Sequence, residues 1–156
     1  MRCKTPSKGF IMYSMVTTKK AVILLMACAV CAAAFAQTPE DYFNRGAAHV
    51  DHKDYESAVA DFTEAIRLKP DFAEAYYARG GAYLCAEDYD KAIADFTGAI
   101  RLKPGYAEAY DYRSAAYFFR EDYAQAIADL EAVLAIKPNN AEAKVMLELA
   151  RMMSGL

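Results

Sequence analysis

Beyond its first 36 residues the chain has almost no cysteine or histidine. Cys3, Cys28 and Cys31 fall in that opening segment, which leaves Cys85 alone in the rest and excludes an intramolecular disulfide there. Stability of the body must therefore come from packing. Histidine is limited to His49 and His52. A Gly-rich phosphate loop is absent. Basic excess is lacking too: residues 37–156 hold 13 Lys and Arg against 21 Asp and Glu, a net of −8. That balance argues against a nucleic-acid binder, whose footprint is a basic face. Hydrophobic residues, by contrast, make up 56% of the chain and tyrosines number 12, enough apolar area to exclude disorder.

Residues 1–36 lack acids altogether, and carry Arg2, Lys4, Lys8, Lys19 and Lys20. Residues 21–36 then form an uncharged run that ends in Ala34-Phe35-Ala36, the small-x-small pattern read by a signal peptidase. Crossing the hydrocarbon core takes ~20 apolar residues, so the run is short for a membrane span. The preceding lysines and the Ala-x-Ala ending speak against a buried core helix. The expectation is an export signal over 1–36, cleaved after Ala36, with a periplasmic or secreted body over 37–156. A start at Met12 or Met15 gives a more ordinary flank before the lysines. An alternative takes Leu25-Met26-Ala27-Cys28 as a lipobox-like motif and places an envelope lipoprotein anchor on Cys28. Met26 is bulky for that motif, and eight more apolar residues follow the cysteine.

The body repeats itself. Ala-Asp-Phe-Thr-x-Ala-Ile-Arg-Leu-Lys-Pro occurs at 60–70 and at 94–104, and a weaker copy occupies 128–138. The offset is 34 residues, and residues 39–72 match residues 73–106 at 18 of 34 positions. An ungapped period of this length means stacked repeats. Each unit reads as two helices, with apolar or small residues such as Tyr76, Gly80 and Tyr83, then Ala92, Phe96 and Ala99, at helical spacing. Asp54, Asp88 and Asp122 are placed to cap the second helices, and Pro70, Pro104 and Pro138 end them. Thr38-Pro39-Glu40-Asp41 and Asp71-Phe72-Ala73-Glu74 have the form of capping boxes. Seven helices are predicted, about 39–52, 55–68, 73–86, 89–102, 107–120, 123–136 and 141–153, and the fold class is all-α.

These units resemble tetratricopeptide repeats. The resemblance rests on Tyr42, Gly46, Ala58, Phe62, Ala65 and Pro70 in the first unit. In the second it rests on Tyr76, Gly80, Tyr83, Ala92, Phe96, Ala99 and Pro104. The third keeps Tyr110, Tyr117, Ala126 and Pro138 and departs at Ser114, Leu130 and Val133. Arg45, Arg79 and Arg113 stand where the family has leucine, and His49 stands where it has tyrosine. The likeness divides the body into repeats 39–72, 73–106 and 107–140 and a capping helix 141–153. It implies a right-handed α-solenoid of three helix pairs plus the cap.

No catalytic constellation emerges. His49 and His52 could share a helical face, but the first falls on a packing position and the second near a helix end, so no metal site is expected. Cys85 has no histidine at a fixed spacing. Asp61, Asp95 and Asp129, like Asp54, Asp88 and Asp122, recur with the period and read as caps and solvated faces rather than a unique acid–base pair. The chain is expected not to be an enzyme and to need no cofactor.

The resemblance implies a binding role instead: the concave face, lined by the first helix of each unit, holds a peptide or a partner helix. By the family's groove positions that face comprises Glu40, Phe43, Asn44, Ala47 and Val50; Glu74, Tyr77, Ala78, Gly81, Leu84 and Cys85; Glu108, Asp111, Tyr112, Ala115 and Phe119; and Glu142, Val145 and Leu149. Co-chaperones of the family hold a C-terminal carboxylate with Lys, Asn and Arg. Phe43, Ala47, Ala78, Glu108 and Tyr112 stand in those places, so carboxylate capture is not expected. The ladder Glu40, Glu74, Glu108 and Glu142 points to a protein or peptide partner with apolar and basic side chains, or serves the helix dipole at each N-terminus. A self-associating scaffold in an envelope complex is the alternative.

Overall fold

A computed structural model describes residues 37–155; the leader, its cleavage site and Cys28 lie outside the described residues. The body consists of seven helices: α1 (Pro39–Asp51), α2 (Tyr55–Leu68), α3 (Ala73–Cys85), α4 (Tyr89–Leu102), α5 (Ala107–Phe119), α6 (Tyr123–Ile136) and α7 (Ala141–Ser154). No strand occurs among the described residues, and no described helix is long and apolar enough to cross a membrane. The boundaries fall within a residue of those the period predicts.

Four of the seven helices, α1, α2, α4 and α7, start at a side-chain cap. Thr38 and Asp41 form a capping box, the Asp41 N–H donating to Thr38 Oγ1 at 3.1 Å and the Thr38 N–H to Asp41 Oδ2 at 2.9 Å. Asp54 and Asp88 accept from the backbone N–H of Ser57 and Lys91. Asn140 does the same for Ala143 and so starts the cap helix. Asp122 departs from the expectation: it occupies the N-cap position of α6, but its carboxylate is engaged by the Arg120 guanidinium and makes no cap bond. The proposed box at 71–74 does not form either. Phe72, not Asp71, is the N-cap of α3, and its side chain has nothing to offer a backbone N–H.

The turn inside each unit is tight. Lys53, Glu87 and Glu121 take left-handed φ values of 60°, 61° and 67°. In the first turn the Lys53 N–H donates to Val50 O at 2.8 Å and the Asp54 N–H to His49 O at 2.9 Å. That is the Schellman pattern, with a charged residue where glycine is usual. The turns between units rely on proline: Lys69, Lys103 and Lys137 precede Pro70, Pro104 and Pro138 and are held extended, which stops α2, α4 and α6.

Packing runs along the chain. Every helix packs on the next, including α2 on α3, α4 on α5 and α6 on α7 across the unit boundaries, and the first helices of successive units also meet, α1 with α3 and α3 with α5. The first helices of the units therefore lie on the inner side of the curve. Between helices the small-against-large rule is strict. Gly46 and Gly80 face Phe62 and Phe96, and a Cβ on either glycine would meet the facing ring at 2.8–2.9 Å. In the third unit Ser114 and Leu130 hold the same two places, both buried. The two departures from the repeat are thus one compensated exchange, a smaller apolar side chain with a larger helix residue.

The recurring Asp61, Asp95 and Asp129 are not solvated, contrary to expectation; they are 7%, 6% and 5% exposed. Each accepts a two-pronged bond from the arginine that replaces the family leucine. Arg79 Nε and Nη2 reach Asp95 at 2.7 and 2.8 Å, Arg113 repeats this on Asp129 at 2.8 and 2.7 Å, and Arg45 on Asp61 through Nε at 2.7 Å. The bond to Arg45 holds the Asp61 carboxyl below its ordinary range. Arg79 and Arg113 also donate backwards, to Thr63 Oγ1 at 2.9 Å and Thr97 Oγ1 at 2.8 Å, so each ties its own unit to the one before.

Candidate functional site

The inner surface of α1, α3 and α5 opens a cavity of about 330 Å³. Eight of the expected groove residues line it: Ala47, Val50, Tyr77, Ala78, Gly81, Leu84, Cys85 and Tyr112. Alanine and glycine make the floor. Gly81 has no atom within 4 Å of where a Cβ would be, so the space in front of it is open. The neighbouring residue Gly80 is the opposite case, pressed against Phe96. Two successive glycines thus serve two faces, one for packing and one for the cavity. Asp51, Phe62 and Ala82 complete the lining; the sequence offered no signal for them beyond their neighbours, since they sit one residue or one helix from the expected positions.

Tyr112 continues into a second depression with Asp111, Ala115 and Met146. Met146 continues into a third with Ala141, Glu142 and Val145 on α7. The three together form one track along the inner side.

Phe43, Phe119 and Asn44, expected in the groove, border none of these depressions. Phe43 is half-buried, with its ring 5.6 Å from Phe62 and 5.1 Å from Phe72. Phe119 stacks on Tyr89 at 5.8 Å, away from the three depressions. Asn44 is exposed and borders none of them. Tyr77 both lines the cavity and belongs to an aromatic cluster, 5.0 Å from Tyr106, 5.6 Å from Tyr112 and 5.9 Å from Phe96. Burial pushes its hydroxyl well above the usual range.

The glutamate ladder is largely neutralised. Lys69 Nζ lies 3.2 Å from Glu40, Lys103 Nζ lies 3.8 Å from Glu74, and Lys137 is bonded to Glu108. Lys69 and Lys103 also sit over the rings of Phe72 and Tyr106 at 4.5 and 4.3 Å. Bonds from its own backbone N–H and from Lys69 hold the Glu40 carboxyl below its usual value, and the Lys137 bond does the same for Glu108. Glu142 has no such lysine among the described residues.

Asp111 differs from both classes. It is half-buried, and among the described residues its carboxylate has no hydrogen-bond or ion-pair partner. Burial and the nearby Glu142 charge push it above the ordinary range, against the pull of Lys137.

The histidines are apart in role. His49 lies with Nδ1 3.6 Å from Asp54 and Nε2 3.6 Å from Asp61, while His52 is the C-cap of α1. Among the described residues no group of three or more His, Cys, Asp or Glu side chains is placed to hold a metal ion. Cys85 is an exposed free thiol on the cavity lining.

Helix pairs of this geometry, with small residues facing rings and an inner groove, define a helical repeat protein. The tetratricopeptide repeat family models match residues 43–107 and 107–140. The chain belongs to the tetratricopeptide repeat family. Among solved structures, the TPR domain of Arabidopsis OM64 is 30% identical with a TM-score of 0.71, the match covering 74% of this chain and 95% of that one. The first TPR of Spaghetti (RPAP3) bound to the HSP90 peptide SRMEEVD is 26% identical with a TM-score of 0.74, covering 77% and 95%. The second TPR domain of human RPAP3, in complex with the HSP70 peptide SGPTIEEVD, is 29% identical with a TM-score of 0.69, covering 72% and 98%. A search of the curated proteins finds no match.

Proposed function

We propose that this chain is an exported, non-enzymatic module that binds a protein or peptide along the inner face of its helical repeats. The observation that carries the reading is the open apolar cavity in front of Gly81; that similar domains are solved with HSP90 and HSP70 peptides bound supports a peptide or protein as its occupant. Export rests on the basic, apolar leader ending in Ala34-Phe35-Ala36.

The peptides held by the RPAP3 domains end in Glu-Glu-Val-Asp. This groove is unsuited to them. Its cations, Lys69, Lys103 and Lys137, lie at the edge and are occupied by glutamates, and Asp111 and Glu142 would repel acidic side chains. Apolar side chains accompanied by basic ones fit better.

Gly81→Leu tests the groove. It fills the cavity without touching the packed face and replaces a helical glycine, so the fold should be kept or strengthened. Pull-downs from source-cell envelope extract with the wild type and this variant should differ in at least one partner; identical captures with both would overturn the reading. Titration with SRMEEVD should show no binding. N-terminal sequencing of the mature protein checks cleavage after Ala36.

A scaffold role is the second reading. It is favoured by Val145, Met152 and Met153, which α7 leaves 68%, 69% and 53% exposed. Light scattering decides it, because a monomer at high concentration excludes self-assembly.

A further inference from the structure

Resting on the groove reading above, we infer that the occupant is an extended segment carrying an apolar side chain and, toward α7, a lysine or arginine whose charged head sits between Asp111 and Glu142. The apolar side chain enters the cavity in front of Gly81. The stem of the basic residue lies along Tyr112 and Met146.

The charge inventory of the track leads to this occupant. Glu40, Glu74 and Glu108 are each answered by a lysine. Asp111 and Glu142 have no cation bonded to them among the described residues, although they are near enough for Glu142 to shift the Asp111 carboxyl. Two of the inner-face acids without a bonded cation therefore lie together at its α5–α7 end, where Lys137 offsets them only at a distance; Asp51, at the far side of the cavity, stands alone.

Asp111 also breaks the repeat in a way the fold does not need. Its counterparts Phe43 and Tyr77 are rings covered by Phe72 and Tyr106. Asn140 stands in the covering place for Asp111, and its side chain is used to cap α7. A half-buried carboxylate with no partner costs folding free energy. Aromatic continuity was available two times over and was not used. Positions where local rules are broken without a structural return are where function is to be expected.

The apolar and acidic parts are joined. Tyr112 belongs to the lining of both the cavity and the Asp111 depression, and Met146 links that depression to Glu142. An aromatic face and a thioether beside two carboxylates suit the apolar stem and charged head of lysine or arginine.

A displayed library of random seven-residue peptides, selected on the full chain at physiological salt, tests the inference. Selected peptides should be enriched in a large apolar residue together with Lys or Arg. Replacing that basic residue by Glu should weaken binding at least about tenfold, measured by fluorescence anisotropy. With Asp111→Asn and Glu142→Gln combined, the loss should shrink to under about twofold; with Glu74→Gln it should be unchanged. Apolar enrichment without basic enrichment, or a charge preference that survives the double variant, overturns the inference and leaves the groove intact. No selected peptide at all, or selection unaffected by Gly81→Leu, overturns the groove reading and the inference with it. Retained helicity of the double variant by circular dichroism shows that its effect is on binding.

Discussion

The second and third repeats share a backbone and diverge in what fills it. In the second, Gly80 accepts the Phe96 ring, and Tyr77 joins Tyr106 and Tyr112 in an aromatic cluster. In the third, Ser114 and Leu130 replace the first pair, and Asp111 and Asn140 replace the Tyr77–Tyr106 pair. The helices keep the same lengths, 13 and 14 residues. The third unit therefore gives up the rings at these positions and keeps its geometry, the facing pair Ser114 and Leu130 having changed together. What the third unit loses in aromatic packing it gains as a polar recess.

Moving the third unit's acid into the second should show the cost most strongly. Tyr77→Asp removes three ring contacts and leaves a carboxylate among Phe96, Tyr106 and Tyr112. We expect a loss of about 2–4 kcal/mol, measured by urea unfolding. A loss under about 1 kcal/mol would mean that the aromatic cluster is not what distinguishes the units.

Next in size, Gly80→Ser should cost about 1–3 kcal/mol, because the new Cβ meets a fully buried ring. Combining it with Phe96→Leu, which copies the third unit, should return part of that loss. Strict additivity in the double-mutant cycle would show that Ser114 and Leu130 are independent departures.

Asp111→Asn should separate stability from binding. Its carboxyl is raised in the folded state, so the folded chain holds that proton more tightly than the unfolded one, and the charged form disfavours folding at neutral pH. The amide should raise the thermal midpoint slightly while weakening capture of basic peptides. By the same sign, affinity for a basic peptide should fall as pH drops, beginning above the ordinary aspartate range, with Glu108, Glu142 and Lys137 facing the group and setting its field. A titration curve flat down to the ordinary aspartate range would remove Asp111 from the site.

The smallest effect should be common to all repeats and so serves as a control on the comparison. Lys53→Gly, Glu87→Gly or Glu121→Gly relieves a left-handed residue of about 1–2 kcal/mol of strain, offset by the greater freedom of glycine in the unfolded chain. A net gain under about 1 kcal/mol at each site is expected. A gain in one unit only would point to a difference in the turns that their shared geometry does not show.

Much of this was legible in the sequence because the contacts recur. The 34-residue offset fixed the seven helices, and prolines and capping aspartates marked their ends. Eight cavity residues also followed from the family's groove positions, which the resemblance implied. What escaped depends on groups that meet only after stacking. Glu40 and Lys69, Glu74 and Lys103, and Glu108 and Lys137 are each 29 residues apart, joining the first turn of one helix to the residue before the next proline. Periodic acids looked solvated because periodicity carries no information about depth; the recurring arginines at Arg45, Arg79 and Arg113 were the signal that Asp61, Asp95 and Asp129 are buried with partners. Asp111 was readable as a groove position but not as an unpartnered one.

The Arg79–Thr63 and Arg113–Thr97 bonds make the two internal junctions alike. At the corresponding place in the third unit the threonine gives way to Glu131, which accepts instead from Arg151 of α7 at 3.1 Å. The array is thus written like text with a reusable connector and a distinct full stop. Copying residues 73–106 in frame would insert a unit whose arginine finds a threonine behind it and whose threonine awaits the arginine ahead. Length, and with it the span of partner that can be gripped, is a property this chain could change in a single duplication.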